Sequence, residues 1–270
     1  MRALYTAATG MIAEQTNVDN ISHNLANVNT TGYKSERTEF KSLLYQTLQT
    51  RTTTANGEQK PVGAQVGLGT RVAATTSMYT QGALMDSESD TDFAIEGNAF
   101  FQIRDVDGEL YYTRNGNFTW SIQEDGNIIL TNTDGNPVLD ADGNEIQVPD
   151  GIPSQNMRFS DSGAIGYMDG EEYVDLNQTF GLYQFNNPAG LEKLSDSKLR
   201  ATAASGNPMS EAQNANLSPS KVHQNYLEGS NVQVADEMVN LIIAQRAYEL
   251  NSKAITTSDS MLETANNLKR

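Results

Sequence analysis

"VADEMVNLIIAQRAYELNSKAITTSDSMLETANNLKR", residues 234–270, holds the clearest helical signal in the chain. Val234, Met238, Leu241, Tyr248, Ile255 and Leu262 recur at steps of three, four and seven, which places them along one side of a helix. Ala247, Ala254, Met261 and Leu268 make a second line beside the first. Asp236 and Glu237 open the segment and Lys269 and Arg270 close it, so the charges complement the helix dipole. Roughly 35 residues at a rise of about 1.5 Å each give a rod about 50 Å long. A small domain is narrower than that, so a helix of this length needs other cover for its apolar side.

The opposite end reads the same way. All 7 prolines lie between Pro61 and Pro219, leaving both ends able to run as continuous helices. Leu4, Ala8, Met11, Val18 and Leu25 follow a seven-residue rule that Gln15 and Ser22 interrupt, a narrow seam in place of a broad core stripe. Two such seams can pair antiparallel or as a coiled coil. An isolated helix pair is marginal, so further partners are expected, with other copies of the chain preferred over the middle domain. The helix ends in "NLANVNTTGYK", residues 24–34, where surface charge is sparse. Asn27, Asn29 and Thr30 suit a helix stop, Gly32 a left-handed turn, and Tyr33 with Lys34 contact with a neighbouring subunit.

Phe40, Leu43, Leu44 and Leu48 then suggest a short helix between Ser35 and Thr50. Residues 50–72, "TRTTTANGEQKPVGAQVGLGTRV", have no helical period and read as an extended segment or β-ribbon with turns at Asn56-Gly57 and Gly67. From about 75 to 205 the signals are β: "AFFQIRD", "ELYYTRN", "NFTWSI", "NIILTN" and "GLYQFN" alternate with turn residues. Asp125-Gly126-Asn127, Asp134-Gly135-Asn136 and Asp142-Gly143-Asn144 are spaced as successive hairpin turns. Residues 205–221, rich in Ser, Asn and Pro, read as a return toward the last helix. The fold class expected is α+β: an N-terminal helical segment (1–49), an extended segment (50–74), an antiparallel β domain (75–205), then the return and the C-terminal helix (206–270).

The mean hydropathy of −0.52 is low for one large globule of 270 residues. Net charge is −16, and residues 86–185 alone hold 20 Asp or Glu against 3 Lys or Arg. Nucleic acid is therefore not an expected partner, because phosphate recognition needs concentrated Lys and Arg. Cysteine is absent, which excludes disulfides and thiolate chemistry. No run of eighteen apolar residues occurs, and the start lacks the basic-then-apolar pattern of a cleaved signal peptide.

Candidate chemical motifs fail in detail. In "DADGNE", residues 140–145, the glycine is fourth where a calcium loop needs it sixth, and Gly151 stands where a bidentate Glu is required. "GLGTR", residues 67–71, has phosphate-loop glycines without the following Lys or helix. His23 and His223 are the only histidines, and neither has a nucleophile or acid in a telling pattern. Paired carboxylates are too abundant in the middle to single out a glycosidase pair. No catalytic residue, metal or cofactor is expected.

The termini carry a more specific message. "TAATGMIAEQTNVDNISHNLANVNTTGYKSERTEFKSLLYQTL", from Thr6, resembles the N-terminal segment of the bacterial flagellar rod and hook proteins. "LEGSNVQVADEMVNLIIAQRAYELNSKAITTSDSMLETANNL", from Leu227, is similar to their C-terminal segment. "IEGNAFFQI", "YYTRNGNFTW" and "EDGNIIL" resemble the family's first β domain, with Ala99 where a second glycine is usual. Length and the long segment after "LLYQTL" are closest to the distal-rod branch, with a proximal-rod or hook-type subunit as the alternative and a secreted glycan-binding β protein as a reading of another class.

That resemblance implies a non-enzymatic subunit, exported without a cleaved signal through the flagellar export apparatus and assembled helically with copies of itself into a hollow, periplasm-spanning drive shaft. It implies contacts with proximal rod and hook subunits, a rod cap, and the surrounding periplasmic and outer-membrane rings. Leu4, Met11, Val18, Leu25, Asn27, Gly32, Tyr33, Val234, Met238, Leu241, Tyr248, Ile255 and Leu262 would then serve the self-assembling core. Leu48, Arg51, Pro61, Gly67 and Gly69 would belong to a segment that packs between subunits and stiffens the shaft.

Overall fold

The computed structural model describes residues 2–49, 63–123, 127–148, 156–169, 172–195, 197–214 and 216–268. They fall into two compact units, neither contiguous in sequence. Unit 1 comprises Met1–Ala26, Glu36–Ser77 and Gln233–Arg270; unit 2 comprises Asn27–Ser35 and Met78–Val232.

Unit 1 is built on the two expected helices, α1 (Arg2–Ala26) and α2 (Val234–Asn267). Their contacts run antiparallel. Gly10 lies against Asn251, Gln15 and Val18 share a hollow with Gln245 and Tyr248, and Asn24 bonds Glu237. The approach is close at Gly10, where a Cβ would stand 2.8 Å from Asn251 Nδ2. Small side chains make this possible: Ala7 and Ala13 of α1 and Ala244 of α2 are buried.

The short helix expected between Ser35 and Thr50 is not formed. The chain instead makes β1 (Glu36–Ser42) and β2 (Tyr45–Gln49). β3 (Ala64–Gly67) pairs antiparallel with β2, and β4 (Thr70–Ser77) pairs antiparallel with β1 through a bulge at Glu39/Phe40. The helical reading rested on the spacing of four apolar residues, but Phe40, Leu44 and Leu48 all stay exposed. Main-chain pairing with the Thr- and Val-bearing strand β4 decides the conformation, a long-range choice that local spacing does not encode. The β-ribbon reading agrees with the β2–β3 pair and with Gly67 at its end; Asn56-Gly57 lies outside the described residues.

Among the described residues, the strand pairs of unit 2 are all antiparallel, with one turn of 3-10 helix at Pro188–Gly190. Its strands are β5 (Leu84–Asp86), β6 (Phe93–Glu96), β7 (Phe100–Arg104), β8 (Leu110–Thr113), β9 (Phe118–Ile122) and β10 (Ile128–Asn132). They continue with β11 (Gln147–Val148), β12 (Met157–Phe159), β13 (Ala164–Asp169), β14 (Glu172–Thr179) and β15 (Leu182–Gln184). The last are β16 (Glu192–Lys193), β17 (Leu199–Arg200), β18 (Met209–Ser210), β19 (Lys221–Gln224) and β20 (Tyr226–Glu228). The largest sheet has the order β16-β17-β8-β7-β15-β18. The segment read as a return thus contributes β18 and leads into β19, and β19 and β20 pair with β6 and β5.

The Phe100-Phe101 dyad of β7 shows how this unit fills its interior. Neighbouring strand residues point to opposite faces, so Phe101 enters one aromatic cluster and Phe100 another. Phe101 meets Phe118 edge-on at 5.2 Å and Phe180 at 5.4 Å, while Phe100 meets Phe185 at 5.6 Å. Each such ring contributes about 2–3 kcal/mol by leaving water. Two of the expected hairpin turns are present, at Gly135 and Gly143, and the third lies outside the described residues. Asp140 Oδ1 accepts from the main-chain N–H of Asp142 and Asn144, so the calcium-like sequence is a turn that binds its own backbone.

Candidate assembly surface and a buried charge cluster

In unit 1 the residues read as a seam divide into two sets. Leu4, Met11, Val18 and Leu25 of α1 are half-buried, as are Leu241 and Ile255 of α2. Val234, Met238, Tyr248 and Leu262 are exposed. The fully buried positions of α1 are Ala7, Ala13, Asn20, Ile21 and Asn24, a set that hydropathy did not single out. Asn20 donates to Thr38 of β1 at 2.9 Å, and Asn24 pairs with the main chain of Glu36. Polar groups at these positions replace part of the backbone pairing that β1 has on its other side.

One helix cannot cover the whole apolar circumference of α2. Val239, Ile242, Ile243 and Leu250 stay open to solvent, with Ile243 at 61% and Leu250 at 64% exposure. The "NLII" run at 240–243 is the signal that could have found this face, since it adds apolar residues off the seven-residue line. The β2–β3 pair is similar, with Leu44, Tyr45, Leu48 and Leu68 exposed. Gly67 packs against the Tyr45 ring, and Gly69 leaves room only for the Thr9 hydroxyl of α1. Arg51 and Pro61 lie outside the described residues. Burial raises the carboxyl pKa of Glu237 on the α1-facing side, its Asn24 hydrogen bond works the other way, and Asp236 adds to the rise.

In unit 2 the end of the first motif is completed from within the chain. Thr30 N–H bonds Asn27 O, and Thr30 Oγ1 donates to Asn27 Oδ1. Gly32 has φ +68°, and a Cβ there would press on the Arg114 and Asn115 backbone at 2.7–2.9 Å. Its N–H donates to Glu228 O at 2.7 Å. The Lys193 ammonium lies 5.5 Å above the Tyr33 ring. Lys34, read as reaching a neighbour, turns inward: its Nζ donates to Glu228 Oε1 at 2.6 Å and to Thr80 O at 2.7 Å. A buried carboxylate 194 residues away decides its direction.

Glu228 is the centre of a fully matched cluster. Its Oε1 also accepts from Gly82 N–H at 2.9 Å, and its Oε2 accepts from Arg114 Nε at 2.9 Å. Arg114 spends its other donors on Gly97 O, Ala99 O and Gln81 Oε1. Side-chain exposures of 3%, 1% and 5% for Lys34, Glu228 and Arg114 put the group out of water. Burial works against the charge of Glu228, yet Arg114 and Lys34 outweigh it and hold its carboxyl below the ordinary range. Burial and then Arg114 lower the Lys34 ammonium, against the pull of Glu228. Nothing in the set is poised for catalysis, since each atom is committed to holding another segment. Among the described residues, no group of three or more His, Asp or Glu could hold a metal ion.

Three segments match known protein families. Residues 4–34 match the flagella basal body rod protein family, residues 94–167 the D1 domain of the flagellar hook protein FlgE/F/G, and residues 223–268 the C-terminal region of the flagellar basal body rod FlgEFG protein. The chain is 42% identical to the flagellar basal-body rod protein FlgG of Borreliella burgdorferi, covering 100% of this chain and 99% of that one. It is 42% identical to FlgG of Agrobacterium fabrum over 97% of each chain, and 33% identical to FlgG of Bacillus subtilis over 100% of each.

Proposed function

We propose that this chain, which belongs to the flagellar basal-body rod protein family and is a structural subunit of the rod with no enzymatic role, assembles helically with copies of itself into the distal rod. The observation that carries this reading is the uncovered face of α2 at Val239, Ile242, Ile243 and Leu250, which one partner helix in unit 1 leaves in water. Copies of the same chain can cover it through repeated heterologous contacts that need not close.

In this arrangement α1 and α2 act as a coiled-coil core segment of the shaft. The seam residues Leu4, Met11, Val18, Leu25, Val234, Met238, Leu241, Tyr248, Ile255 and Leu262, with Asn27, Gly32 and Tyr33, serve that core. The segment 50–74, which follows the exposed Leu48 and includes Gly67 and Gly69, packs between subunits and stiffens the shaft; its residues Arg51 and Pro61 share that role. The acidic β region, 75–205, is the outer part, where like charge keeps it from adhering to the surrounding rings. Proximal rod and hook subunits, the periplasmic and outer-membrane rings, the rod cap and the export apparatus are the partners.

Electron microscopy of the purified chain at high concentration tests this directly. Helical filaments are expected from the unaltered chain and dispersed particles from Ile243→Asp. Stable monomers of the unaltered chain, or filaments from the variant, would overturn it.

A further inference from the structure

Residues 27–35 belong to unit 2, yet no member of either aromatic core cluster comes from them. Polar contacts hold the segment instead: Gly32 N–H to Glu228 O, Lys34 Nζ to Glu228 and Thr80, and Ser35 N–H to Asn231 Oδ1. Asn231 also donates to Met78 O and Thr80 Oγ1, so the side chain that receives Ser35 is itself anchored. A segment attached by polar contacts, without a share in the cores, can separate while those cores remain closed.

We propose that residues 27–35 are a latch on unit 2, closing and opening as one local piece, with Glu228 as the keeper and its ionised carboxylate as the condition of closure. The charged side chains facing Glu228 are Lys34 from the latch and Arg114 from the end of β8. With the carboxylate ionised, one negative charge serves two buried cations. With it neutral, Lys34 and Arg114 face each other across a dry site, and the cheapest relief is for Lys34 to leave. Arg114 stays, because Gly97 O, Ala99 O and Gln81 still accept its donors. Closure requires a residue near each end of the chain, so the latch shuts only once the chain is present from Lys34 to Glu228.

Amide hydrogen exchange on the full chain tests the latch. Lys34→Met keeps the Glu228–Arg114 pair and so preserves the fold. It is expected to speed exchange at the Gly32 and Ser35 amides by about tenfold or more, while Leu130 and Val138, bonded inside the β core, are unchanged. Glu228→Gln should do the same, and acidification of the unaltered chain below the ordinary carboxylate range should reproduce the pattern. Equal acceleration at Leu130 and Val138 in Lys34→Met would show that the segment is no separate latch. Unchanged exchange at Gly32 and Ser35 would show that Lys34 does not hold it. Either result overturns the proposal.

Discussion

Asn24 pairs with the main chain of Glu36 as a neighbouring strand would: its Nδ2 donates to Glu36 O at 2.8 Å and its Oδ1 accepts from Glu36 N–H at 2.9 Å. The side chain is buried, so neither bond has water as a substitute. Replacing it by Leu keeps the volume and leaves two main-chain groups unmatched. Asn24→Leu should cost about 2–4 kcal/mol, read as a lower denaturant midpoint and faster amide exchange across β1. A stability within experimental error of the unaltered chain would show that these bonds are replaced on unfolding without loss.

Gly32 and Gly108 separate two costs that are usually confounded. Both have positive φ, +68° and +79°, but a Cβ at Gly32 meets the Arg114 backbone whereas one at Gly108 meets nothing within 4 Å. Gly108→Ala should therefore lose only the backbone term, about 1 kcal/mol. Gly32→Ala should lose on the order of 3 kcal/mol, because the clash adds to that term. Chemical denaturation of the two variants side by side checks the difference, and equal losses would mean the close contact relaxes freely.

Leu241 and Ile243 lie close together on α2 yet have different surroundings, Leu241 half-buried and Ile243 61% exposed. Leu241→Asp is expected to loosen unit 1 in the isolated chain, seen as reduced helical circular dichroism, because an unpaired charge would enter the contact with α1. Ile243→Asp should leave that signal intact and remove assembly. A variant pair that behaves identically would contradict the division of α2 into a covered and a free side.

The pH dependence follows from Glu228. Its folded pKa lies below the unfolded value, so its ionised form adds stability above the ordinary glutamate range, and that stability is lost as pH falls through the folded value. Removing the Lys34 charge takes away one of the two cations that depress Glu228. Acid unfolding of Lys34→Met, followed by the fluorescence of the single tryptophan, Trp120, should begin at higher pH than in the unaltered chain. An unchanged or lower onset would show that Arg114 alone sets the value.

What could be read in the sequence was local or repeated. The helices at 2–26 and 234–267 announce themselves through periodic apolar residues and absent proline, and the second also through Asp236 and Glu237 in its first turn, all properties of neighbours in the chain. The turns at Gly135 and Gly143 follow from Asp-Gly-Asn triplets that bend their own backbone. The family was legible because two long terminal motifs keep their residues in register, and the matches over 4–34 and 223–268 fall on those motifs.

Tertiary structure decided what depends on residues far apart. Phe40, Leu44 and Leu48 have helical spacing, but a ladder to residues 64–77 made their segment two strands, since pairing energy depends on a partner that spacing cannot name. Lys34, at the end of a motif, reads as a contact to a neighbouring subunit. Glu228, 194 residues later, gave it a matched and water-free partner, and a charge goes inward only where such a partner waits. The sequence by itself thus determined the two helices, the hairpin turns and the family. The tertiary structure alone decided that Lys34 locks the 27–35 segment onto its own β unit, because that choice requires both ends of the chain to meet in one place.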